Sequence, residues 1–140
     1  MQQTEFKLEE PLKRGITSAL GYVEELLSTI GFALSNTKGI FVEVTNNFNN
    51  ANILQIENII KDMLQSIKEI KEKLHLEKQE IKGSNIISSR CGAIWETLCD
   101  IESKKLKKYG QVDKNFSEYF DPIIKKLLDQ NEKIFNILKH

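Results

Sequence analysis

Glu72 and His75 stand at the spacing that comes closest to a metal-binding pattern in this sequence. A Glu-x-x-His pair on a helix is one part of the motif of di-iron bundles, which need two such pairs and two further inward carboxylates. The only other histidine is His140. Because one pair cannot complete that ligand set, the sequence predicts a solvated charge pair here, with no metal site and no cofactor.

Cys91 and Cys99 are the two thiols that could act as nucleophiles or form a disulfide. On one helix, eight residues separate them by about 12 Å, which is too far for a disulfide. A reactive thiolate needs a basic partner, and the sequence gives neither histidine a reason to lie beside Cys91. Because Cys91 falls on an apolar stripe, we expect a buried core cysteine, no catalytic residue, and a protein that is not an enzyme.

Arg90, Trp95, Glu102 and Tyr109 have the residue types of a small-molecule pocket. Trp95, Glu102 and Tyr109 recur at helical spacing, and a buried Trp or Tyr needs a partner for its polar tip. These four residues predict a ligand site near the end of the third helix. The competing interpretation is a charge at the rim of the fold beside a core tryptophan.

The charge balance argues against a strongly charged partner. The chain has 20 basic and 20 acidic side chains and a formal net charge of zero. The lysines between Lys104 and Lys108 are typical of a helix C-terminus, where they complement the helix dipole. We therefore expect no binding to nucleic acid and none to an anionic membrane surface.

The N-terminal segment and the cysteines predict the cellular compartment. The first residues, MQQTEFKLEEP, lack the basic start and apolar stretch of a secretory signal. The longest uncharged apolar run, 26–37, is shorter than the roughly 20 residues that span a bilayer. With two cysteines that cannot pair with each other, the simplest expectation is a cytoplasmic protein.

A heptad pattern predicts a long first helix after an N-terminal tail over residues 1–10. Pro11 suits a first helical turn. Apolar residues follow at alternating spacings of three and four, with Thr37 in the one other slot: Ile16, Leu20, Val23, Leu27, Ile30, Leu34, Phe41, Val44 and Phe48. The unbroken phase favours one helix, kinked near Gly39. The main alternative is a break between Ser35 and Gly39, since Gly39–Val44 is rich in β-forming residues.

Three further helices are predicted after turns at asparagine or glycine clusters. The second has a strict three-four seam, formed by Ile53, Ile56, Ile60, Met63, Ile67, Ile70 and Leu74. The third begins after Gly83 and ends before Gly110. In the fourth, Asp121-Pro122 is typical of a helix cap and first turn, so it predicts either a kink or a short helix followed by a longer one. Turns this short predict an all-α, antiparallel up-down-up-down four-helix bundle that forms a single domain over residues 1–140.

The fourth helix has two adjacent apolar stripes, which is more than one packed helix needs. The first stripe contains Phe116, Phe120, Ile123, Leu127, Ile134 and Ile137, and the second contains Ile124, Leu128, Phe135 and Leu138. We expect the second stripe to be an interface, for a homodimer or for a partner protein. The alternative is that the two stripes together pack between two neighbouring helices of the bundle. The sequence thus favours a non-enzymatic helical interaction or self-association module over a small-molecule-binding bundle.

Overall fold

The computed structural model describes residues 6–139, and 70% of these residues lie in helices. The predicted all-α fold class is confirmed, while the up-down-up-down bundle topology stays a prediction. The chain, predicted from its length to be one domain, divides after Gln79 into two compact units. The first unit contains α1 Glu10–Ala33, β1 Thr37–Lys38, β2 Glu43–Val44 and α2 Asn50–Lys73, and the second contains α3 Gly83–Asp100, α4 Ser103–Leu106 and α5 Lys114–Ile137.

A β-hairpin separates the two helices of the first unit. The expected continuation of the first helix through Phe48 is wrong, because α1 ends at Ala33 and the strands pair with Thr37 opposite Val44. Two asparagine bonds close the base of the hairpin: the Asn46 backbone N–H donates to Asn36 Oδ1, and Asn46 Nδ2 donates to the Leu34 carbonyl, both at 2.7 Å. These bonds and the β-branched composition outweigh the heptad phase.

Gly39 is required at the hairpin turn by a close backbone approach. Its N–H donates to the Val42 carbonyl oxygen at 2.8 Å. A Cβ at position 39 would lie only 2.8 Å from that same oxygen. The turn carries Ile40, Phe41 and Val42, and all three side chains are exposed.

The helices of the first unit pack through the seam that the heptad spacing predicts. Leu27 is buried on α1, and the facing Ile56, Ile60 and Ile67 of α2 are half-buried. Asn49 caps α2, since its Oδ1 accepts the Asn52 N–H at 2.7 Å. No residue within α2 is fully buried, because two helices cover only one side of each seam.

His75 ends α2 with a structural role. It has a φ of 54°, in the left-handed region where histidine is enriched among non-glycine residues. The His75 N–H donates to the Glu72 carbonyl and the Leu76 N–H to the Lys71 carbonyl, at 3.3 and 2.9 Å. This pair of bonds is a common helix C-cap, and Leu76, which follows the cap, is buried.

In the second unit, α3 packs on α5 and the short α4 is tied to the same helix. Cys91 of α3 and Ile124 of α5 are buried. Asp121 holds α4: Oδ1 accepts the Ser103 N–H at 3.0 Å and Oδ2 accepts the Ser103 hydroxyl at 2.5 Å. Helix α5 continues through Pro122, so it is one helix and not a short helix followed by a longer one. A kink at Pro122 stays a prediction.

Among residues 6–139, none of the helices combines the length and the apolar character needed to cross a bilayer.

Candidate functional site

The two apolar stripes of α5 face different surroundings. We call Ile124, Leu128, Asn131, Phe135 and Leu138 the inner stripe, and Phe116, Phe120, Ile123, Leu127, Ile134 and Ile137 the outer stripe. The inner stripe includes the buried residues of α5: Ile124 is 3% exposed and Asn131 is 7% exposed. In the outer stripe, Leu127 is 41% exposed and Ile134 is 47% exposed. The inner stripe therefore includes the side chains of α5 that are covered in the second unit, and most of the outer stripe is exposed.

The burial of the inner stripe differs from the exposure that an interface would need at three of its four predicted residues. Ile124 is buried, Leu128 and Leu138 are half-buried, and Phe135 is 37% exposed. Periodicity revealed both stripes correctly. It could not show which of two equally apolar stripes α3 covers, because that depends on a contact with another helix.

The outer stripe has a basic flank. One residue corresponds to 100° around a helix. The inner stripe follows the outer stripe by one residue, whereas Lys126 and Lys133 precede Leu127 and Ile134 by one residue. The lysines therefore lie on the side of the outer stripe away from α3. Asp129, which precedes Gln130 in the remaining slot of the outer stripe, lies between the two lysines on this flank, so the flank carries a net charge of +1 between Asn115 and Asn136.

An aromatic pair forms the N-terminal end of the outer stripe. The rings of Phe116 and Phe120 stack with centroids 4.8 Å apart. Phe116 also lines a depression of about 420 Å³, together with Leu106, Tyr109 and Val112. This depression is large enough to accept an apolar side chain of a partner.

A separate cavity of about 510 Å³ lies between α3 and α5. Its apolar lining comes from Cys91, Trp95, Leu128 and Phe135. This volume falls in the range of about 300–1,000 Å³ that is usual for small-molecule sites. It lies on the inner-stripe side of α5, so it is distinct from the outer stripe.

Asn131 is the buried polar residue of this cavity, and its residue type alone did not mark it as a site residue. Its Nδ2 donates to the Cys91 carbonyl at 2.9 Å. Its Oδ1 is buried and has no donor among the described residues. An unpaired buried acceptor costs about 1–3 kcal/mol. The available signal was an amide at a stripe position whose neighbours at 124, 128, 135 and 138 are all apolar.

The four residues predicted to form a ligand pocket do not share one cavity. Trp95 lines the cavity between α3 and α5, and Tyr109 lines the depression beside Phe116. Arg90 is exposed and lines neither. Glu102 is half-buried and pairs with Lys104 at 3.6 Å.

The remaining titratable groups of the described residues can be judged by their clustering and by their pKa values. Within residues 6–139 there is no group of three His, Cys, Asp or Glu side chains placed to hold a metal ion. The Ser103 hydroxyl, followed by the Ser103 N–H, holds the pKa of Asp121 below its ordinary value; Lys104 adds to this effect and partial burial opposes it. Asp121 therefore acts as an ionised anchor for α4.

Comparison with protein-family models, with curated proteins and with solved structures finds no match to this chain.

Proposed function

We propose that this protein is a non-enzymatic module that docks an amphipathic helix of a partner protein on the outer stripe of α5. The partner helix has an apolar seam and an acidic flank. The observation that carries this proposal is the exposed outer stripe, whose flank with Lys126, Asp129 and Lys133 has a net positive charge. A helix laid along an apolar groove is a common mode of peptide recognition, and flanking charges set partner choice and orientation.

The geometry of α5 supports a helical occupant. A helix of 24 residues is about 36 Å long, and the outer stripe runs along most of it. The Phe116–Phe120 pair and the neighbouring depression supply an aromatic anchor at one end. Aromatic residues in pockets contribute a large share of binding energy at protein interfaces.

The total accessible surface supports the need for a partner. The chain exposes 12080 Å². Two separate compact bodies of half its mass would together expose only about 9,000 Å². The excess is larger than the roughly 800 Å² that each partner buries in an interface of standard size.

Charge favours a different chain over a second copy at this surface. In a two-fold antiparallel pairing of outer stripes, the flank with Lys126, Asp129 and Lys133, of net charge +1, would face the same flank of the other copy. Like charges facing each other across a helix pair weaken it. An acidic flank removes this repulsion, so self-association through α5 is the second candidate and a partner helix is the first.

The test uses two designed 24-residue peptides with the same leucine seam, one flanked by glutamate and one by lysine. We expect the glutamate peptide to bind the full-length chain with a Kd at least ten times lower than the lysine peptide, measured by calorimetry at low salt. Light scattering of the chain alone, run in parallel, measures self-association. Equal affinity for both peptides, or no binding of either, contradicts the proposal.

A matched pair of variants assigns the binding to the outer stripe. Leu127→Lys and Leu128→Lys place the same charge on adjacent residues of α5. Because Leu127 is exposed and Leu128 faces α3, Leu127→Lys should remove peptide binding and keep the wild-type circular dichroism and melting temperature. Leu128→Lys should lower the melting temperature. If Leu127→Lys unfolds the chain, the outer stripe is part of the core and the proposal fails.

A further inference from the structure

The cavity between α3 and α5 has hydrogen-bonding chemistry of one kind. Besides its apolar walls, it is lined by Ser88, Asp129, Asn131 and Glu132. The two carboxylates are acceptors, Asn131 contributes a buried Oδ1 without a donor among the described residues, and the Ser88 hydroxyl can donate or accept. The residues that line the cavity include no Lys, Arg or His. The lining therefore has two negative charges and no positive charge of its own.

The aromatic walls of the cavity add a preference for cations. Trp95 and Phe135 line it, and the faces of aromatic rings attract cations. The Phe135 ring already has a cation over it, since Lys139 Nζ lies 5.1 Å from the ring centroid. An ammonium group would be attracted by the rings and by both carboxylates.

We propose that this cavity binds a small organic ammonium ion with an apolar or aromatic body. The apolar body packs against Trp95, Leu128 and Phe135. The ammonium N–H groups supply the donors that Asn131 Oδ1 and the carboxylates of Asp129 and Glu132 accept. The site lies on the inner-stripe side of α5 and includes no residue of the outer stripe, so it does not rest on the proposed docking of a partner helix.

Three probes of similar size separate charge from shape: 2-phenylethylammonium, 2-phenylethanol and 3-phenylpropionate. Trp95 is the single tryptophan of the chain, so its fluorescence reports on this cavity. We expect saturable changes with 2-phenylethylammonium at a Kd below about 1 mM, at least tenfold weaker binding of the alcohol, and none of the carboxylate. Equal responses to the three probes, or no response to the ammonium ion up to about 10 mM, overturn the proposal.

A glycine in the lining provides a blocking variant that keeps the fold. Gly92 lines the cavity, and a Cβ built there meets no heavy atom within 4 Å outside its own helical surroundings. Gly92→Leu therefore fills the cavity while raising helix propensity. Gly21→Leu on α1 is the matched control, because its Cβ is equally free of contacts. We expect Gly92→Leu to abolish the binding and Gly21→Leu to keep it.

The carboxylates supply a second readout that does not depend on filling the cavity. Asp129→Asn and Glu132→Gln keep the side-chain shape and remove one charge each. Both residues are exposed, so we expect unchanged melting temperatures and severalfold weaker binding of 2-phenylethylammonium. Wild-type affinity in Gly92→Leu, or in the double variant Asp129→Asn/Glu132→Gln, shows that the ammonium ion binds elsewhere and overturns the assignment.

Discussion

At the scale of single residues, two polar side chains fix how the second unit is assembled. Asp121 joins α5 to α4 through both oxygens, and Asn131 joins α5 to α3 through its amide nitrogen. The two side chains differ in whether their oxygen atoms have hydrogen-bond donors. Asp121 has donors for both oxygens, whereas Asn131 Oδ1 has none among the described residues.

The Asp121 contact makes stability depend on pH. Its pKa is lowered from the ordinary value of 3.8, chiefly by the Ser103 hydroxyl. A lowered carboxyl pKa stabilises the folded state above the ordinary pKa, and this contribution is lost as the pH falls through the lowered pKa. We expect Ser103→Ala to reduce the free energy of unfolding at pH 7 and to approach wild type in strong acid.

The control for this prediction is Ser117→Ala, whose hydroxyl donates to a backbone carbonyl, that of Asp113. Its effect on the free energy of unfolding should be independent of pH between about 2 and 7, because no carboxyl titration is coupled to it. Urea unfolding over that range measures both variants. A Ser103→Ala effect that is constant with pH contradicts the role of Asp121.

Asn131→Leu should stabilise the chain by about 1 kcal/mol, because it removes a buried acceptor without a partner among the described residues, keeps the branching at Cγ and extends apolar atoms into the neighbouring cavity. The measurement is the urea midpoint at constant m-value. Asn131→Ala serves as comparison and should be destabilising, since it leaves a void. If Asn131→Leu lowers the midpoint, Oδ1 has a donor in the folded protein. The same variant should weaken binding of 2-phenylethylammonium.

At the scale of elements, the sequence predicted helices well where apolar spacing and turn residues agree. The seam from Ile53 to Ile70 lies in α2 and Leu74 is its C-cap, α3 begins at Gly83, and Asp113 caps α5 by accepting the Asn115 N–H. The first helix was overextended because Phe41, Val44 and Phe48 continue the heptad phase by coincidence. The bonds of Asn46 that close the hairpin join residues ten and twelve apart, and periodicity cannot detect them.

The site was only partly predictable for a related reason. Residue types identified Trp95 as a ligand-contacting candidate, and it lines the cavity between α3 and α5. Glu102 was placed beside it by helical spacing, but α3 ends at Asp100 and α4 begins at Ser103. The chain direction changes between these helices, so a spacing argument that assumes one continuous helix fails there.

Because α1 ends before Phe41, substitutions at two positions of the same heptad phase should differ in their effect on the free energy of unfolding. Phe41 is 97% exposed at the hairpin turn, whereas Leu27 is buried against α2. Phe41→Ser should change the free energy of unfolding by less than about 0.5 kcal/mol. Leu27→Ala should cost about 2–5 kcal/mol. A large loss of stability in Phe41→Ser would contradict the exposed position of Phe41 and support a first helix that continues through this residue.

At the scale of the whole molecule, each unit has little apolar material in its interior. Among the described residues, the buried apolar side chains are Leu27 and Leu76 in the first unit and Cys91 and Ile124 in the second. Because two packed helices cover one side of each other, most apolar side chains of both units stay partly exposed. The protein alone therefore gains less from burial than its length allows.

Because each unit buries few apolar side chains, we expect the free energy of unfolding to depend only weakly on urea concentration. The m-value of urea unfolding scales with the surface that unfolding exposes, and the folded chain already exposes 12080 Å². We expect an m-value in the lower part of the usual range of about 1–3 kcal/mol/M, with circular dichroism matching 70% helix. An m-value near the upper limit would show that the chain buries a full core in solution.

Methyl NMR of the full-length chain, titrated with the glutamate-flanked peptide, tests docking on the outer stripe most directly. Leu127 and Ile134 lie on the outer stripe, whereas Ile124 is buried and Leu27 belongs to the first unit. We expect saturable shifts of the Leu127 and Ile134 methyl groups, with those of Ile124 and Leu27 nearly unchanged. Shifts centred on Ile124, or confined to the first unit, would contradict docking of a partner helix on the outer stripe of α5.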